Sequence, residues 1–206
     1  MKKEPDMGML ELGARKHFPS LGKSMVACRD GIAATEFALL LPFLVVLFFG
    51  MIEASEALTV NRRVSKAVNM MSDLTSQVAS ISPSEFDNMI DGVTQVMSPG
   101  TMSGVQMNIV SVILDSNDDP IVHWSRDQDG NEPYVAGADY TDLDNPMVLD
   151  AGGSVIVAEI TYPHVLSISH QILPSTINFD VKSLRWPRQS GTSRVQFCTT
   201  PSNCTT

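Results

Sequence analysis

The chain carries two kinds of hydrophobic pattern. From Phe37 to Ile52 it reads FALLLPFLVVLFFGMI, without a charge. Extended back to Ile32, the run is 21 residues long and holds one charge, Glu36. A helix needs roughly 20 such residues to cross about 30 Å of hydrocarbon. A buried core helix would keep a polar face, and none exists from Phe37 onward. A secretory signal would be shorter and would end at a small-residue cleavage site. Here Glu53 and Glu56 flank Ala54 and Ala57 instead. The pattern predicts a transmembrane helix over 32–52.

Beyond it the apolar positions become periodic. Ala57, Val60, Val64, Ala67, Val68, Met71, Leu74 and Val78 recur every three or four residues, with no Gly or Pro between Glu53 and Ser80. That spacing predicts that one long helix continues to about residue 80. Ser82-Pro83-Ser84-Glu85 marks a new start, with Ser82 as cap, Pro83 at the first helical position and Glu85 closing a capping box. Phe86, Met89, Ile90, Val93, Val96 and Met97 follow at helical spacing, and Pro99-Gly100 ends this short second helix.

After residue 104 the period shortens. VQMNIVSVILD and IVHWSR flank the turn cluster Asp115 to Pro120, which predicts a hairpin. SVIVAEITY predicts a third strand, with Ile156, Ala158, Ile160 and Tyr162 on one face. INFDVKSLRW predicts a fourth. Residues 127–153 read as a long surface loop, and the tail from Pro187 reads as irregular. The expected class is α+β and pilin-like: a long N-terminal helix, half of it transmembrane, and a short helix packed on a small antiparallel sheet. The corresponding segments are a leader over 1–31, the span over 32–52, the extramembrane helix over 53–81, an α+β domain over 82–190, and a tail over 191–206.

Charge adds a direction. Lys2, Lys3, Arg15, Lys16, Lys23 and Arg29 precede the span, which favours a cytoplasmic N-terminus. From Ser82 on there are 15 acidic and 5 basic residues. That balance argues against nucleic acid, which needs a basic surface. With the N-terminus inside, Cys198 and Cys204 lie outside, where a disulfide persists; two free thiols on a frayed tail are the alternative. Two cysteines without a nearby histidine leave a zinc shell incomplete.

Other chemistry is faint. Asp127 to Glu132 has its Gly at position four rather than six, so it fails as a calcium loop. Asp115-Ser116-Asn117 lacks the second serine of a metal-binding Asp-x-Ser-x-Ser motif. His123, His164 and His170 lack ligand spacing and read as ordinary polar residues, and Trp124 and Trp186 as sheet packing. There is no phosphate loop and no nucleophile motif with a matching base. No cofactor is implied, and no catalytic activity is expected.

Glu36 is the anomaly, because a carboxylate inside an apolar span costs a few kcal/mol unless it is partnered. It sits in R-D-G-I-A-A-T-E-F, directly before the apolar run. This segment resembles the class III signal of type IV pilin-like proteins. In that family a membrane-embedded prepilin peptidase cuts after a glycine, and a glutamate stands at the fifth position of the new chain. Mapped here, the cut falls between Gly31 and Ile32, and Glu36 is the fifth residue. Glu36 followed by Phe37 resembles the tight-adherence (Tad) branch, where Tyr is more common than Phe at the second place. The run DGIAATEFALLLPFLVVLFFGMIEASEAL, with Pro42 inside and Glu53 after it, is similar to TadE-like proteins. VSVILDSND, HWSRDQDG, VIVAEITY and RWPR are similar to the β-rich region of the same family.

The resemblance implies a minor pseudopilin that helps assemble a Tad pilus and so supports adhesion. Its implied partners are a prepilin peptidase, other pilins and pseudopilins, the Tad assembly platform and the membrane. Its implied place is the bacterial inner membrane, single-pass, with the C-terminal domain periplasmic or extracellular. Cleavage at Gly31, a residue that enters a peptidase site without a side chain, would free an amine on Ile32. That amine and Glu36 of a neighbouring subunit would lower each other's burial cost and act as an assembly register. A second expectation is an uncleaved bitopic protein whose acidic outer domain binds a partner or a cation.

Overall fold

The computed structural model describes residues 30–143, 153–166, 176–189, 194–200 and 202–205. Most of the expected leader, with Cys28, lies outside the described residues, as do His170 and much of the second half of the expected 127–153 loop. The chain divides into two units, Met1–Leu47 and Phe48–Thr206. Helix α1, Asp30–Ser76, begins in the first and ends in the second, with Pro42 inside it. The remaining elements all belong to the second unit. They are β1 (Ser80–Ile81), α2 (Pro83–Met97), β2 (Gln106–Leu114), β3 (Pro120–Asp127), β4 (Ser154–Val165), β5 (Thr176–Arg185), β6 (Gln196–Thr200) and β7 (Asn203–Cys204). The class is α+β.

The periodic part of α1 buries Val64, Ala67, Val68 and Met71, with Val60 and Val78 packed at the margins of the same core. The stripe departs from expectation at Leu74, which is 36% exposed while Ser72, Thr75 and Ser76 are fully buried. Positions 64, 68, 71 and 75 follow the 3.6-residue period, and 74 lies about 100° from 75 around the axis. The buried hydroxyls are paired: Thr75 Oγ1 donates to the Met71 carbonyl at 2.9 Å, and Ser72 Oγ meets Ser183 Oγ on β5 at 2.9 Å. The helix stops at Ser76, short of residue 80. The backbone N–H of Arg188 reaches the Ser76 carbonyl at 2.8 Å and satisfies one of its terminal acceptors.

Helix α2 has both halves of the predicted capping box. Glu85 N–H donates to Ser82 Oγ at 3.4 Å, and Ser82 N–H donates to Glu85 Oε2 at 2.8 Å. These bonds favour the ionised form and hold the Glu85 carboxyl below its usual range, the backbone bond from Ser82 contributing most. Phe86, Met89, Ile90, Val93 and Met97 turn inward.

The main sheet is antiparallel, in the order β3-β2-β4-β5. Its inner face brings Met107, Ile109, Trp124, Ile156, Ala158, Ile160 and Tyr162 into one core with α1 and α2. Pairing of β2 with β3 shifts at Ser111/Val112, where β3 passes from Trp124 to Val122. The extra residue is His123. The bulge changes the parity of the strand. Trp124 therefore joins the helix-side core while Val122, two residues away, joins a second cluster on the other face.

That second cluster corrects the expected surface loop. Val110, Val112, Val122, Val155 and Val157 are buried against Tyr140, with Tyr134 and Leu143 packed beside them. The segment after β3 thus covers the outer face of the sheet. It also lies along the β3 edge: Val122 N–H donates to the Ala138 carbonyl at 2.9 Å and Tyr140 N–H to the Pro120 carbonyl at 2.8 Å. The sheet is apolar on both faces because both faces are covered.

The tail is not irregular either. β1 pairs parallel with β6, and β6 pairs antiparallel with β7. Phe197 on β6 is buried between Phe86 and Trp124, with ring centroids 6.4 and 5.6 Å away, and Arg126 lies over its ring at 4.3 Å. Trp124 packs in the core as expected of sheet packing, whereas Trp186 is 56% exposed.

Candidate functional site

The N-terminal part of α1 presents Gly31, Ile32, Glu36 and Phe37 on an exposed helical surface. A Cβ placed on Gly31 would meet nothing within 4 Å, so packing in this fold makes no demand for glycine there. Ile32 and Glu36 are four residues apart and share a face. Between them Thr35 Oγ1 donates to the Ile32 carbonyl at 2.8 Å, a bond internal to the helix. The Glu36 carboxylate has no hydrogen bond or ion pair among the described residues. From Phe37 to Ile52 the large apolar side chains are all exposed, Leu39 by 77% and Phe43 by 76%. The helix is long and apolar enough to cross a membrane. Water gives such a surface no favourable partner; hydrocarbon does. Glu53, at the end of this run, is buried.

A second group of polar residues was not legible in the sequence. Glu159 on β4 points to the outer face of the sheet and accepts from Tyr134 Oη and Tyr140 Oη, each at 2.8 Å. Lys182 on β5 stands 3.2 Å from Glu159 and also pairs with Asp142. The group ties the covering segment to the sheet. Burial, then the bond to Glu159, pushes the Tyr134 phenol well above its ordinary range; burial, then the charge of Glu159, does the same to Tyr140. Burial alone would lower Lys182, but the bond to Asp142 and the charge of Glu159 outweigh it and raise the ammonium. One signal was available: Glu159 is the single charge in SVIVAEITY, an otherwise apolar strand.

The two acidic turns weighed as metal loops are closed by their own chain. Asp115 accepts from the N–H groups of Asn117 at 2.8 Å and Asp119 at 2.9 Å. Asp127 accepts from the N–H groups of Asn131 at 2.7 Å and Asp129 at 2.9 Å. Both carboxylates act as Asx-turn acceptors. Among the described residues no cluster of His, Cys, Asp and Glu has the makings of a metal site. Cys198 and Cys204 face each other across β6 and β7 and are joined by a disulfide. His123 lies on β3 and His164 on β4, and both are buried.

A long exposed apolar helix that runs into an α+β domain defines a helix-anchored, pilin-like class of chain. Within that class, residues 31–71 match the family model described as TadE-like protein. The match starts at Gly31 and covers most of α1, and it stops before the sheet begins. It falls on the helical segment of the resemblance and does not reach the four stretches likened to the β-rich region. Together the match and the helix fit a membrane-anchored component of the Tad pilus. No curated protein and no solved structure matches the chain.

Proposed function

We propose that this chain is a TadE-like minor pseudopilin with a structural and not a catalytic role. It helps assemble or prime a Tad pilus, and surface adhesion follows from that pilus. Residues 32–52 hold it in the bacterial inner membrane, the N-terminus is cytoplasmic, and the α+β domain lies outside. A prepilin peptidase removes residues 1–31. The partners are other pilins and pseudopilins and the Tad assembly platform.

The observation that carries this reading is the family match opening at Gly31, the residue before the proposed cut. Two features support it. Nothing in the packing requires glycine at position 31, which leaves the peptidase as a reason for it. Glu36 shares a face with Ile32 and has no partner among the described residues, which suits a carboxylate kept for a neighbour's freed amine.

The test is the intact mass of the protein purified from its native membranes, with and without the prepilin peptidase gene. A species beginning at Ile32 only in peptidase-positive cells is expected. A chain that keeps Met1 to Gly31 in both would overturn the cleavage step and leave an uncleaved bitopic protein. Glu36→Gln is expected to be processed but to lose incorporation into pilus complexes.

A further inference from the structure

Close to the point where α1 leaves its apolar run, the second unit holds a groove of about 600 Å³. One wall is the first three turns of α1 after Glu53, the second is the Pro99–Thr101 turn, and the third is the end of β4. Its chemistry is mixed. Glu56 and Arg63 lie about two helical turns apart on the groove side of α1. Neither forms an ion pair among the described residues. Tyr162 and His164 contribute from β4. His164 is only 5% exposed, and its Nε2 has no hydrogen-bond partner among the described residues. A buried ring nitrogen without a partner is unusual, since buried polar atoms are nearly always bonded. The wall is also fitted closely. A Cβ on Gly100 would come within 2.8 Å of the Tyr162 hydroxyl, so glycine is needed to seat that group.

The position restricts the occupant. Ser55 and Glu56 lie only one turn past Ile52, and a bilayer's headgroup layer extends about 5–8 Å beyond the hydrocarbon on each side. The mouth of the groove therefore opens at headgroup depth. Arg63 sits higher, but helical side chains lean toward the N-terminus, and long cationic ones reach toward the interface. Leu58 and Val165, flanking the groove, are exposed apolar residues, 59% and 61%.

We propose that the groove binds the headgroup of one phospholipid that carries both a phosphodiester and a primary ammonium, such as phosphatidylethanolamine. Arg63 and the His164 ring N–H donate to the phosphodiester oxygens. Glu56 accepts from the ammonium. A purely anionic headgroup would leave Glu56 opposed to a like charge, and a quaternary amine would give it no hydrogen to accept. The proposal rests on the membrane-anchor reading given above. It adds a lipid that holds the α+β domain against the membrane surface.

The test uses the full chain in nanodiscs of phosphatidylcholine with an added fifth, roughly, of phosphatidylethanolamine or phosphatidylglycerol. The protein is released and weighed by native mass spectrometry. Recovery in the nanodisc reports the anchor, and the retained lipid reports the groove. One phosphatidylethanolamine per chain is expected. Loss of one charge-assisted contact in Arg63→Gln or Glu56→Gln should lower its retention about tenfold. Both substitutions are at accessible helix positions, and circular dichroism confirms that each variant is folded. His164→Gln should weaken retention as well. A chain that enters the disc but keeps no lipid, keeps phosphatidylglycerol or phosphatidylcholine equally, or keeps its lipid in both charge variants overturns the groove proposal and leaves the anchor intact. A chain that fails to enter the disc overturns both.

Discussion

The indole Nε1–H of Trp124 donates to the carbonyl of Val195 at 2.8 Å, across 71 residues of sequence. It is one bond by which the main sheet holds the C-terminal segment, and both residues are buried. The bulge at His123 makes it possible, because it turns Trp124 toward the helix-side core.

Trp124→Phe keeps the aromatic contact with Phe197 but leaves the Val195 carbonyl without its donor. An unsatisfied buried acceptor costs about 1–3 kcal/mol. The unfolding midpoint of the second unit should fall accordingly, and amides of residues 195–200 should lose hydrogen-exchange protection before those of β4.

The Cys198–Cys204 disulfide closes a loop with a sequence separation of 6. Chain-entropy reasoning assigns a loop of that size about 2 kcal/mol. Replacing both cysteines by serine should speed exchange and proteolysis in β6 and β7, with little effect on α2. A uniform loss across the domain would show that the tail is part of its cooperative core.

Tyr134 and Tyr140 predict alkaline sensitivity. Their phenols titrate higher in the folded chain than in the unfolded one. A raised folded value means the folded state holds its protons longer. The associated stability is complete below the unfolded tyrosine value of about 10 and declines as pH rises past it. The raised Lys182 acts in the same direction. Tyrosinate absorbance should therefore show Tyr134 and Tyr140 lagging until the domain unfolds. Glu159→Gln removes the charge but not the burial, so the lag should shrink and not vanish.

Glu159→Ala should be the most damaging change on the outer face. It strips the acceptor from two partly buried hydroxyls and removes one of the two carboxylates that face Lys182. A loss of about 1–3 kcal/mol is expected. Proteolysis should then begin in the segment 128–143, which this carboxylate ties down.

Ser82→Ala should cost about 1 kcal/mol, because the N-cap bond to Glu85 is lost. Helical circular dichroism during thermal unfolding is the check, with Ser82→Asp expected to restore most of the loss.

Much of this protein is local, and local features were readable. The 21-residue apolar run, the capping box at Ser82 to Glu85 and the strand around Ile156 to Tyr162 each depend on neighbours within a few turns. The Leu74 position shows where local reading weakens. A three-or-four-residue rule drifts around the helix, and only tertiary packing selects Thr75 instead, whose Oγ1 lies 3.4 Å from Met89 Sδ on α2.

The sequence by itself determined a membrane-length helix with one carboxylate near its start, a second capped helix, four strands and an acidic C-terminal region. Composition and period suffice for these, since each is set by residues close in the chain. The tertiary structure alone decided the pairing of the tail with β1, the parity switch at His123, and the outer layer built on Glu159, Tyr134 and Tyr140. All three join residues distant in sequence. A polar loop and a polar cover have the same composition, and only the apolar surface beneath distinguishes them.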